Sequence, residues 1–248
     1  MEAFWDTLQN AWGTLQNSFE RVFIVDDRWT LLARGLGLTL FITLLAALLG
    51  LALGFLIAIV RSTHDKVTGL KPAPRAALNI LNGIAKLYLT VIRGTPVVVQ
   101  LMIIYFVVFG AVNISKVVVA VIAFGINSGA YVAEIVRSGI MSIERGQMEA
   151  GRSLGFSYAQ TMVRIILPQA FKNVLPSLGN EIIVLLKETS VSGYIALEDL
   201  AKGGDIIRSI TYMAFMPLIV VALIYLTVVV FLSHLVTRLE RRLRASDH

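Results

Sequence analysis

The sequence predicts an all-α membrane protein with five transmembrane helices, an interfacial helix at its start, and short helices on the cytoplasmic face. Three observations carry this. The chain is 56% hydrophobic and only 15% charged, with a mean hydropathy of +0.76, too apolar for a soluble globular domain. Several uncharged runs are long enough to cross a bilayer. The basic residues are also divided unevenly between the connections, which fixes a direction of insertion.

Composition removes other classes. The net charge of +6 comes from basic residues set between apolar runs, not gathered into one patch, so it fits a membrane better than a nucleic acid. The absence of cysteine excludes disulfides, thiolate catalysis and cysteine-based metal sites. The first residues lack a basic n-region and the first apolar run exceeds a signal-peptide core, so no cleaved leader is expected. A length of 248 residues accommodates one integral-membrane domain and no separate soluble one.

In chain order, Phe4, Trp5, Leu8, Trp12, Leu15, Phe19, Val22 and Phe23 recur at three- and four-residue steps opposite polar residues. This predicts an amphipathic helix over 1–25 with aromatic interface anchors. Residues 1–33 are taken as an extracytoplasmic segment and 34–248 as the transmembrane domain. The first span is 35–60, between Arg34 and Arg61. Polar and basic residues follow, with Pro72 and Pro74 expected to break any continuous helix. Ala77, Leu81, Ile84, Leu87, Tyr88 and Val91 form a second interfacial stripe. Thr95 and Pro96 look like an N-cap and first helical residue opening a span over 97–111. The third span is 117–137, the fourth 173–186 and the fifth 209–237, with Pro217 as a kink and 198–208 as a polar connection. Fifteen of the 22 basic residues fall in 61–93, 137–172 and the tail from 238, while the other connections are acidic-rich. The N-terminus is therefore predicted outside, and the C-terminus and the long loop at 141–172 inside.

That loop contains the stretch GQMEAGRSLGFSYAQTMVRIILP at 146–168. Its glycines predict a short helix to Leu154, a stop at Gly155, and a second helix ending near Pro168. Met148, Leu154, Phe156 and Tyr158 supply apolar knobs among Glu144, Arg145, Glu149, Arg152 and Arg164. Such a pair suits docking into a partner's cleft, or alternatively covers the bundle.

Glu149-Ala150-Gly151, then Gly155 after three residues and Ile165-x-Leu167-Pro168 after nine more, resembles the EAA motif of ABC importer permeases. The departure is Gly151, where alanine is commoner, and it weakens the first helix. Arg93-Gly94-Thr95-Pro96, the segment Tyr131 to Ile140 running into Gly146-Gln147, and Lys187-Glu188-Thr189-Ser190 resemble permeases of the histidine/glutamine/glutamate/arginine type. The resemblance covers about 35–237. It implies import and a bacterial cytoplasmic (inner) membrane location. It implies a second permease subunit, identical or homologous, two cytoplasmic ATP-binding subunits, and an extracytoplasmic amino-acid-binding protein. Residues implied to contact the ATPase are Glu149, Ala150, Gly151, Leu154, Gly155, Phe156, Ile165, Leu167 and Pro168. ATP and Mg2+ belong to that partner, because this chain has no phosphate-binding G-x-x-x-x-G-K-[ST] loop and is expected to need no cofactor and catalyse no reaction.

Polar groups in or beside apolar spans mark a solute path by default. Asn127, Tyr131, Glu134 and Ser138 share one helix face, and Asn180, Glu181, Lys187, Glu188, Thr189 and Ser190 cluster around the end of the fourth span. Lys187 with Thr189 or Ser190 would meet a substrate carboxylate, and Glu134, Glu181 or Glu188 its ammonium. Alternatively these charges pair with one another and specify packing. Gly125, Gly129 and Gly139 are read as close-approach points between helices. Two other classes compete. A metalloenzyme or hydrolase is opposed by the dispersed His64, His234 and His248 and by the lack of H-E-x-x-H or G-x-S-x-G. An ion-coupled transporter or channel would use the same carboxylates, but five spans do not divide into two inverted repeats.

Overall fold

A computed structural model describes residues 13, 16–66 and 72–245, and every regular element among them is helical. The long helices are α1 (Trp29–Lys66), α2 (Pro72–Gly94), α3 (Val97–Ile103, continued by a π-turn Ile104–Val108) and α4 (Lys116–Met141). The 141–172 loop supplies α5 (Arg145–Ser153) and α6 (Tyr158–Thr161), which passes through a π-turn Met162–Ile166 into α7 (Leu167–Glu188). After a 3-10 segment Thr189–Ile195 come α8 (Leu200–Thr211) and α9 (Phe215–Ala245).

Helix α4 is the hub, and α1 packs along its whole length. The contact is close because small residues interleave: a Cβ on Gly54 would lie 2.4 Å from the Val132 side chain, and one on Gly125 would lie 2.6 Å from Leu49. The expected close approach of Gly139 is also present, against Val174 of α7. Around this axis Ile42, Ala46, Leu101, Ala120, Phe124 and Leu185 form one core cluster. A second, nearer the loop, holds Ala58, Val136, Ile140, Ile166, Ala170 and Val174.

Several predicted boundaries change for identifiable reasons. Helix α1 extends the predicted span at both ends. It begins after Asp26 and Asp27 turn at φ 56° and 51°, where Arg28 donates to the Arg21 carbonyl at 2.8 Å and Thr30 to the Asp27 carbonyl at 2.7 Å. Most of the amphipathic stretch, 1–12 and 14–15, lies outside the described residues. Its described end buries Val22 and Phe23 against Leu32, Leu200, Ile207 and Val221, so there it packs on the bundle. Pro72 and Pro74 begin α2 instead of breaking it, since a first turn needs no amide from them. On α2, Ala85 and Leu89 are buried while Ile80, Leu81, Ile84, Leu87 and Val91 face outward, giving the predicted apolar stripe.

The cap of α3 is Pro96, not Thr95. The Thr95 hydroxyl is turned back to the Val91 carbonyl at 2.8 Å, while the extended Pro96 accepts from the Val99 and Gln100 amides. The second helix of the loop does not end near Pro168 but continues to Glu188. The segment after 198 is a helix, capped by Asp199, whose carboxylate accepts from the Lys202 amide at 2.9 Å. Pro217 lies in the first turn of α9, where it starts a helix without kinking it.

Among the described residues, α1, α4 and α9 are long and apolar enough to cross a membrane, and α2 with α3 forms a fourth unit bent by 110°. Helix α7 is long enough but carries Lys172, Asn173, Asn180, Glu181 and Lys187. If the α1–α4 seam holds the bundle, Gly54→Leu should destabilise the purified chain by about 3 kcal/mol or more, since overpacking a tight contact displaces backbone as well as side chains. A fall in the detergent-solubilised melting temperature checks this, with Gly37→Leu, where a Cβ meets nothing within 4 Å, staying near the parent value.

Candidate coupling loop and solute path

The loop is built as two short helices locked at a fixed angle. Helix α5 ends in a Schellman closure: the Phe156 amide donates to the Gly151 carbonyl at 3.1 Å and the Gly155 amide to Arg152 at 3.0 Å, with Gly155 at φ +86°. Ser157 then opens α6 with a reciprocal capping box, its hydroxyl accepting from the Gln160 amide and its own amide donating to the Gln160 side chain at 2.8 Å. The predicted glycine stop is thus present. Gly151 has a second reason to be glycine. A Cβ there would lie 2.5 Å from the methyl of Thr161, which is fully buried with its hydroxyl bonded to the Ser157 carbonyl.

The motif residues fall into two sets. Glu149, Ala150, Leu154, Gly155 and Pro168 are exposed, and Leu154 is 76% exposed. Gly151 is buried, and Ile165 and Leu167 pack against the second core cluster. The predicted knobs are reduced to one. Met148 also packs on that cluster, Arg164 lies over the half-buried Phe156 ring at 5.6 Å, and the Tyr158 hydroxyl is buried. Only Leu154 projects freely.

Helix α6, the π-turn and α7 make one continuous helical path from Tyr158 to Glu188. The Leu167 amide donates to Met162 across the widened turn, and Pro168 enters at the second position of the next segment, where its missing amide and ring are tolerated. Loop and predicted fourth span are therefore one mechanical element.

The predicted polar residues separate into three groups. Asn127 is buried and donates to Gln100 at 3.0 Å. Gln100 in turn donates to the Ile92 carbonyl at 2.7 Å and to Thr95, satisfying the end of α2 at the 110° bend. Arg93 lies over the Tyr131 ring at 5.7 Å beside this network. Glu134 accepts from Arg61 at 2.9 Å and from Arg137 at 3.1 Å, so each of its oxygens meets a guanidinium. The Ser128 hydroxyl donates to Glu181 at 3.0 Å, linking α4 to α7. Ser138, on the same α4 face, bonds only to its own helix at Ile135.

The cluster at the end of α7 does not converge. Lys187 and Asn180 are exposed, Glu188 is half-buried, and Thr189 is buried with its hydroxyl on the Leu186 carbonyl at 2.8 Å. Ser190 lines a separate cavity of about 390 Å³ with Tyr194, Lys202 and Asp205. Lys202 and then Arg208 hold the Asp205 carboxyl below the usual range. Gln100, Arg61 and Ser128 were missed from the sequence. Gln100 is the one polar residue in the run Val97–Ile103 and was visible as such, whereas Arg61 finds Glu134 only through the fold. Among the described residues no cluster suited to a metal ion occurs.

Residues 68–245 match the family described as "Binding-protein-dependent transport system inner membrane component". The chain is 38% identical over 215 residues to the arginine transport system permease protein ArtQ of Bacillus subtilis, covering 86% of this chain and 92% of that one. It is 37% identical over 217 residues to the glutamine transport system permease protein GlnP of Escherichia coli, covering 86% and 93%. A solved structure titled "Crystal structure of an amino acid ABC transporter with histidines" superimposes with a TM-score of 0.76 at 42% identity, over 89% of this chain and 98% of that one. The inward-facing MetNI methionine ABC transporter has the same fold, with a TM-score of 0.70 at 19% identity over 86% and 96%.

Burial raises the Asp199 carboxyl from 3.8 to about 6 against the Lys202 amide that lowers it. A raised folded-state value means the native protein binds the proton more tightly, so stability falls as pH rises from 3.8 to about 6. Asp199→Asn keeps the helix cap and removes the titration. The variant's melting temperature should lose that fall, which amounts to about 3 kcal/mol in the parent.

Proposed function

The chain belongs to the binding-protein-dependent transport inner membrane component family, and from that premise we propose how this permease subunit of an ATP-driven importer moves a polar amino acid. Cytoplasmic ATP-binding subunits dock on the 146–168 loop, a second permease subunit completes the pathway, and an extracytoplasmic binding protein delivers the solute. ATP and Mg2+ act in the partner. In the cytoplasmic (inner) membrane the five spans are α1, the bent α2–α3 unit, α4, α7 and α9. The basic residues of 61–93, 137–172 and the tail favour an outside N-terminus and an inside C-terminus.

One observation carries the mechanism: the unbroken helix from Tyr158 to Glu188. A partner that grips Leu154 and Glu149 and moves α5 also moves α6, because Gly151 lies directly on Thr161. Without a joint at Pro168 the displacement passes into α7, and there it bears on the Ser128–Glu181 bond. Opening or closing that α4–α7 contact changes access to the polar path. Glu181 is the carboxylate best placed to meet a substrate ammonium, because both oxygens of Glu134 are already engaged by guanidiniums. Asn127 and Tyr131 line the same side of α4. Lys187, Glu188, Thr189 and Ser190 contribute at the far end of α7, where the exposed Lys187, already beside the Glu188 carboxylate, could also attract a substrate carboxylate.

The test separates docking from folding. Leu154→Asp replaces a projecting side chain that supports nothing in the bundle, so the melting temperature of the purified complex should stay within about 1 °C, as expected for a surface change. Amino-acid-stimulated ATPase activity in proteoliposomes should fall at least about tenfold, since an interface anchor contributes roughly 1.4 kcal/mol or more. Glu149→Lys should act in the same direction, whereas Gly155→Asp also strains the closure of α5 at φ +86°. Normal coupling in Leu154→Asp and Glu149→Lys at parent stability rejects the loop assignment.

A further inference from the structure

A cavity of about 440 Å³ lies where the end of α1 meets α4 and the α6–α7 helix. Its wall is mainly apolar, from Ile59, Ile140, Met162, Val163 and Leu167, and is interrupted by Ser62, Thr63 and Tyr158. Ser62 is only 3% exposed and its hydroxyl has no hydrogen-bond partner. The Tyr158 hydroxyl is likewise buried without one. Two unsatisfied hydroxyls in an apolar cavity are an unfavourable arrangement unless something else supplies acceptors.

The approach to the cavity narrows the choice. Leu44, Leu48, Leu56 and Ile59 form an exposed stripe along one face of α1, and Ile59 sits at its end on the cavity rim. Across the rim Val163 is also exposed. A chain lying along the outer face of α1 therefore runs into the cavity without crossing polar surface. Arg61, beside Ser62, is turned to Glu134 on α4.

We propose that this cavity is a phospholipid site: one acyl chain fills the apolar volume, and its ester oxygens accept from the Ser62 and Tyr158 hydroxyls. An occupied site braces the α6–α7 helix against α1 and α4. The placement rests on the membrane orientation proposed above, but the readout below needs neither ATPase nor solute, so the two proposals fail separately.

The full chain is reconstituted into nanodiscs of phosphatidylethanolamine and phosphatidylglycerol doped with a phosphatidylethanolamine carrying a photoactivatable diazirine in its acyl chain. Peptide mapping after photolysis should find adducts both in 59–63 and in 158–167. Ala159→Trp, which fills the cavity from an exposed position, should remove these while leaving adducts around Leu44 and Leu48. The pair Ser62→Ala and Tyr158→Phe, which removes no volume, should lower cavity labelling about fivefold or more, as expected for losing hydrogen bonds. Adducts confined to the α1 stripe, or cavity labelling unchanged by both variants, overturns the proposal. Labelling by a diazirine fatty acid that excess phospholipid does not displace overturns the choice of phospholipid.

Discussion

A proline in the middle of a helix removes one backbone donor and crowds the preceding turn, and inside a membrane protein the lost bond has no water to replace it. Pro168 sits at the junction between the 141–172 loop and a bundle helix, where such a loss would ordinarily end one helix and start another. Here the chain widens into the π-turn Met162–Ile166 immediately before it, and the Leu167 amide bridges back to Met162. The helix survives, and the loop runs without a break into α7, although a helix-interior proline, Pro176, lies between Pro168 and Glu181. Had the helix stopped at Pro168, a hinge would separate the docking surface from the polar contacts of the bundle.

The same rule about unsatisfied polar groups explains the interior. The 110° bend between α2 and α3 leaves carbonyls without helical donors, and Gln100 reaches them while Asn127 holds Gln100 in place. Glu134 lies between two arginines from two helices. Removing it would leave two partly buried cations facing each other, a larger loss than the pair's own attraction. These groups fix the geometry of α4 against its neighbours. Ser128 and Glu181 differ, because a single hydroxyl–carboxylate bond joins α4 to the helix that carries the loop. It is the polar tie in line with the loop's displacement.

Much of this was legible in the residues. Long uncharged runs located α1, α4 and α9, and the glycine at 155 marked the end of α5 at the right place. What misled was local chemistry that tertiary packing overrules. Gly203 and Gly204 sit in a charged stretch and resemble a turn, yet they are helical because a Cβ would meet the Leu31 carbonyl at 3.0 Å and Val221 at 2.4 Å. Gly151 resembled a tolerated weakening of a helix and instead permits contact with Thr161. Thr95 and Pro168 carried the right residue types for a cap and a stop, but their partners, Val91 and the π-turn, decide otherwise. The pairing of Arg61 with Glu134 joins residues far apart in sequence and depends on α1 and α4 being in register. Glycine contacts at Gly54 and Gly125 set that register; Gly125 was legible as a close-approach point, but its partner Leu49 and the matching contact at Gly54 were not.

The central claim is that loop and α7 move as one body against α4. Because the chain has no cysteine, spin labels can be attached at introduced cysteines alone. Gln160 and Asn180 are exposed on the α6–α7 helix, and Ser138 is exposed on α4. Pulsed electron paramagnetic resonance on the reconstituted transporter, with and without ATP, should give an unchanged 160–180 distance and a shifted 138–160 distance. A 160–180 distance that changes with nucleotide while 138–180 stays fixed would place a hinge within the α6–α7 helix, at the π-turn or at Pro176, and contradict the account.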